Sequence, residues 1–122
     1  MWIFTRYGFY SVVCAQSKDG AGLDTNTLMV RARVRHHLER LQSRFVSLAG
    51  HSIHASADAD YRYRIIVPKT CWYEVATQMV EEISYGNFKD EATKTLGFPG
   101  RGYIEALHDV WSRLYELQRQ EQ

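Results

Sequence analysis

The sequence predicts an α+β two-layer sandwich, a four-stranded antiparallel sheet in the order β-β-α-β-β-α with a helical C-terminal extension. Three observations predict it. Two stretches, VRARV at 30–34 and YRYRI at 61–65, alternate apolar and arginine side chains with the period of a strand. Each is followed by a segment whose apolar residues recur every three or four positions, the period of a helix. The chain has 122 residues, 45% of them hydrophobic, which suits one domain with its own core and excludes wholesale disorder.

The elements follow in order. YGFYSVVCA, 7–15, mixes aromatic and β-branched residues and reads as the first strand, with 2–5 as its continuation and Gly8 as a bend or bulge. QSKDGAGLDTN, 16–26, is a polar, turn-rich hairpin loop. The second strand, 27–34, places Leu28, Val30, Ala32 and Val34 on one face and Met29, Arg31 and Arg33 on the other. Leu38, Leu41, Phe45 and Leu48 then form the stripe of a helix that Gly50 stops. HSIHASA, 51–57, is a weak third strand, and a turn at 58–60 leads into DYRYRIIVPK.

That fourth strand sends Tyr61, Tyr63, Ile65 and Val67 to one face and Arg62 and Arg64 to the other, until Pro68 ends the ladder. Thr70 caps a second helix with the stripe Trp72, Val75, Ala76, Met79, Val80 and Ile83. Residues 1–84 thus form the sheet and helix core of a single domain. Residues 85–102 are irregular, with a short helix at 88–95 behind an Asn87 cap and then the glycine-rich loop GFPGRG. A last helix, 103–119, fills the C-terminal part, which runs to 122. The two arginine strands match at an offset of 31 positions, an echo that fits a duplication or coincident strand chemistry equally.

The period of two sends Arg31, Arg33, Arg62 and Arg64 away from the helix layer. A plain reading makes this a solvated face whose arginines pair with nearby carboxylates and blunt the sheet edges. A functional reading makes it a docking surface for an anion, with Tyr10 beside it and Arg101 of the glycine loop able to join. A net charge of +1 excludes a strongly basic, nucleic-acid-coating protein and ranks a protein partner ahead of nucleic acid. The expected function is a small non-enzymatic binding or regulatory protein, such as an inhibitor encoded by a phage or plasmid. A nucleic-acid module using the same face is the alternative. The third reading is a metal- or histidine-dependent hydrolase or nuclease built on His54 or His108.

The last helix offers a second surface. Tyr103, Leu107, Val110, Leu114 and Leu117 recur at heptad spacing, while Ile104, Trp111 and Tyr115 widen the apolar face. Two heptads fall short of a free coiled coil, so Ile104, Trp111 and Tyr115 are interface candidates for a partner or for a homodimer. Chemistry is not signposted. His51 and His54 leave a strand on opposite faces, and no histidine pair has the i, i+4 spacing of a helical zinc site. There is no nucleophile elbow and no phosphate-cradling glycine loop, so neither catalytic residue, metal nor cofactor is expected. Cys14 and Cys71, 57 positions apart, suit a reduced intracellular protein. No signal peptide or apolar run of membrane length is visible, and the expectation is a cytoplasmic protein with no membrane partner.

The blocks MWIFTRYGFYSVV, DYRYRIIVPK, SYGNFKDE and YIEALHDVWSRLYELQ, in this order, resemble a set of small bacterial and mobile-element proteins. The resemblance implies a free-standing small bacterial protein and carries no activity, cofactor or functional residue with it.

Overall fold

In the computed structural model, which describes residues 1–121, the alternating stretches pair into an antiparallel sheet of order β1-β2-β3-β5-β4. The strands are β1 (Trp2–Thr5), β2 (Gly8–Gln16), β3 (Leu23–Ala32), β4 (His54–Ala55) and β5 (Tyr63–Pro68). Helices α1 (Arg35–Arg44) and α2 (Lys69–Glu81) share one core with one side of this sheet. The α+β class is as expected, with five strands where the sequence pattern gave four.

The additional strand is the N-terminal stretch, expected only as a continuation of β2. It folds back because Thr5 organises a two-residue turn, its hydroxyl accepting the N–H groups of Tyr7 (3.0 Å) and Gly8 (3.1 Å) and donating to the Gly8 carbonyl (2.9 Å). Gly8 is required by a close approach. A Cβ there would stand 2.4 Å from Cγ of His37, whose ring lies on the turn. β3 begins earlier than expected, at Leu23, and the ladder shifts register between Cys14 and Ala15. The Asp24 carboxylate stabilises that irregularity by accepting the Asn26 N–H (2.9 Å) and the Thr27 hydroxyl (2.8 Å).

The core is built as the pleat dictates: Tyr10 and Val12 of β2, Leu28, Val30 and Ala32 of β3, and Ile65 and Val67 of β5 face Leu38 and Leu41 of α1 and Trp72 and Val75 of α2. Phe45 and Leu48 join this core, but not on α1. The helix ends at Arg44, Phe45 is extended, and Leu48 belongs to a short 3₁₀ turn, Val46–Leu48. Thr70 does not cap α2 either. The helix starts at Lys69 behind Pro68, whose fixed φ and missing N–H suit a helix entrance, and no side chain makes a cap bond there.

The chain divides into two compact units, the first ending at Ser84 and the second beginning at Tyr85. The second is helical. Asn87 caps α3 (Phe88–Leu96) as expected, its side-chain oxygen accepting the Asp90 N–H at 2.9 Å. The glycine-rich loop is mostly helical structure. Gly97 terminates α3 at φ 63°, residues Phe98–Gly100 form a 3₁₀ turn, and α4 (Arg101–Gln120) starts two residues earlier than the sequence suggested. Gly100 permits this tight return, since a Cβ would lie 2.4 Å from Cβ of Leu96. Ala92 and Leu107 are the buried apolar side chains of this unit.

Candidate docking face of the sheet

Because α1 and α2 occupy one side of the sheet, the other side of the first unit carries the alternate residues of each strand. Register brings five of them into one row across all strands: Trp2 opposite Ser11, Ser11 opposite Arg31, Arg31 opposite Arg64, and Arg64 opposite His54. Two guanidinium groups are therefore direct cross-strand neighbours, a placement that ordinarily destabilises a sheet by a fraction of a kcal/mol.

Serines, not carboxylates, hold these arginines. Arg31 Nη2 donates to Ser11 Oγ at 2.7 Å, and Arg64 Nη2 donates to Ser56 Oγ at 2.8 Å. Among the described residues of the first unit, no carboxylate lies within 4.0 Å of either guanidinium. The hydroxyls fix position without cancelling charge. The Nε donor of Arg31 is buried and makes no hydrogen bond. Arg33 differs, for it pairs with Asp60 at 3.2 Å on an exposed edge and also donates to the Asp60 carbonyl. Arg62 is exposed and lies just before β5.

Two aromatic assignments need correction. Tyr10, expected beside the arginines, is 0% exposed on the helix side, where its hydroxyl donates to the His37 carbonyl at 2.5 Å. Tyr61, expected in the core, lies with the arginines, at 4.5 Å from the Arg31 guanidinium and 4.2 Å from that of Arg33. Strand alternation fails for Tyr61 because β5 starts only at Tyr63, and the residues before it follow a turn. The ring is 5% exposed beneath its two cations, which restricts Arg31 further.

Sequence reasoning missed the aromatic part of the face. Phe4 stacks on Phe9 (4.5 Å between centroids, 22°), Trp2 meets Phe9 edge-on at 5.7 Å, and Phe9 lies 6.4 Å from Tyr61. Trp2 remains 69% exposed. The signal was the alternation W-F at positions 2 and 4 and the adjacent aromatics Phe9 and Tyr10, which give β2 rings of both parities. Ser11 and Ser56, which position the arginines, carry no recognisable pattern.

A second charged group in the same unit contrasts with this face. Glu82, the C-cap residue of α2, meets Arg6 at 3.2 Å and also pairs with Arg44, while the Tyr7 hydroxyl donates to it at 2.7 Å. Arg6 in addition donates to the Glu82 carbonyl at 3.3 Å. Burial, and then the adjacent carboxylate, raises the Tyr7 pKa above its ordinary value. Nearby His37 is pushed down to about 4, chiefly by burial and then by the Arg40 charge, although its Nδ1 accepts the Phe9 N–H at 3.2 Å.

The remaining candidates lie in the second unit. Arg101 opens α4 and lies 4.5 Å over the Phe98 ring. Trp111 is 51% exposed, Tyr115 is exposed and Ile104 half-buried. His108, Trp111 and Tyr115 stack along α4 with centroid separations of 5.9 and 5.3 Å, and the Lys89 ammonium sits 5.1 Å over Trp111. Both cysteines are free, and among the described residues no three His, Cys, Asp or Glu side chains converge as metal ligands. No helix among the described residues is long and apolar enough to cross a membrane. Neither family models, curated proteins nor solved structures yield a match to the chain.

Proposed function

We propose that this chain is a binding protein, not an enzyme, and that the sheet face bearing Arg31 and Arg64 docks an anionic macromolecule. The observation that carries the reading is the cross-strand guanidinium pair held by serine hydroxyls with its charge uncompensated. A face selected only for solubility would place a carboxylate opposite one arginine, as Asp60 stands beside Arg33. Guanidinium is a planar fork of donors matched to phosphate and carboxylate oxygens, and here its rotamers are already restricted, which lowers the entropy lost on binding.

Retention on a heparin column tests this with a polyanion of no sequence or shape specificity. The wild-type chain is expected to be retained and to elute with moderate salt. Arg31→Ala/Arg64→Ala is expected to elute much earlier, whereas Arg113→Ala, on the exposed side of α4, leaves retention nearly unchanged. Equal elution of wild type and the double variant overturns the proposal.

A further inference from the structure

We infer that the occupant of this face is single-stranded nucleic acid, with phosphates on Arg31 and Arg64 and a base against Trp2. The inference rests on the docking reading above and names its partner. The arginines alone would suit an acidic protein as well as a phosphate chain, and the sequence ranked the protein first. The rings reverse that order. Trp2, Phe4 and Phe9 form a connected aromatic group on the same side as the two arginines, and Phe9 joins it to the Tyr61 ring under Arg31.

Geometry separates the two kinds of partner. A protein partner would have to bring a fitted pocket to close over the aromatic anchor, whereas a base needs only the open face of a ring. Here Trp2 stands exposed on a pleated sheet, in the same cross-strand row as the cations. It lies two strand spacings, about 10 Å, from Arg31 and a further spacing from Arg64. Aromatic rings beside a track of uncompensated cations are what unpaired bases on a phosphate backbone require, and every base has a face to stack. A duplex hides those faces, so single strands are favoured.

Fluorescence anisotropy with labelled oligothymidylate tests the inference. Trp2→Ala is expected to weaken binding about tenfold through lost stacking. The slope of log K against log salt is expected to be roughly −1.4 for two phosphates, and Arg64→Ala to reduce it by about half. Arg64→Ala removes a side chain hydrogen-bonded to Ser56, and Trp2 is exposed, so both variants are expected to fold, as circular dichroism checks. Labelled polyglutamate and a blunt DNA duplex are the other probes. If polyglutamate binds more tightly than oligothymidylate, or the duplex binds equally well, or Trp2→Ala has no effect, single-stranded nucleic acid is the wrong occupant while the docking face stands. Binding of no probe overturns both.

Discussion

Two arginine groups in the first unit solve the same electrostatic problem differently. At Glu82, Arg6 and Arg44 converge on one half-buried carboxylate that also receives the Tyr7 hydroxyl. On the open sheet face, Arg31 and Arg64 stand opposite each other with serine hydroxyls for neighbours. The first group closes on itself and ties the β1–β2 turn to the ends of α1 and α2. The second is ordered but unfinished. Cation count alone does not separate the two groups; the presence of an internal counter-charge does.

The largest expected effect is at the closed group. Glu82→Ala removes the carboxylate that Arg6, Arg44 and the Tyr7 hydroxyl share in a partly buried place, and is expected to destabilise the chain by about 2–3 kcal/mol in urea unfolding. A loss below about 0.5 kcal/mol would place this cluster with ordinary surface pairs. The next effect comes from acid. His37 takes a proton at about 4 in the folded chain against an ordinary 6.5, so the unfolded chain is protonated first as pH falls. The stability His37 contributes is therefore full above pH 6.5 and is lost between 6.5 and 4, by about 3 kcal/mol. Denaturation followed across that window checks it, and His37→Asn should flatten the profile.

The smallest effect has the opposite sign. Arg64→Gln removes a like-charge neighbour of Arg31 while keeping a donor for Ser56, and is expected to raise stability by up to about 0.5 kcal/mol. The same variant should bind oligothymidylate more weakly. A variant that is more stable and binds less well sharpens the contrast between the two groups, whereas a loss of stability above 1 kcal/mol would make the open pair structural.

Much of the frame was legible because burial imposes a period. Leu28, Val30 and Ala32, with Ile65 and Val67, declared an inward face, and the opposite parity of Arg31 and Arg64 followed. Parity carries this information only while the chain stays extended. At Tyr61 the backbone has not yet entered β5, so its ring reaches the arginine side against the count. In β2, rings at both Phe9 and Tyr10 make parity ambiguous, and a hydrogen bond to the His37 carbonyl settles which one goes inward. The helical stripe through Leu38 and Leu41 continued on paper to Phe45 and Leu48, but a 3₁₀ turn also satisfies a spacing of three. Asn87 was readable as a cap because the interaction is local. The partnership of Arg31 with Ser11 and of Arg64 with Ser56 is tertiary, and no local pattern encodes it.

The Tyr7–Glu82 contact spans 75 positions, nearly the whole first unit. Contacts of such sequence separation are expected to form after local turns, hairpins and helices have shortened the intervening chain. During synthesis the first hairpin must therefore wait for almost the last residue of its unit to emerge before it can be fastened. A bond made after the folding barrier acts on the way out: weakening it accelerates unfolding and leaves the folding rate nearly untouched. Tyr7→Phe is therefore expected to raise the unfolding rate and leave the folding rate nearly unchanged, as stopped-flow measurement checks, which would make the junction a kinetic latch on the assembled sheet.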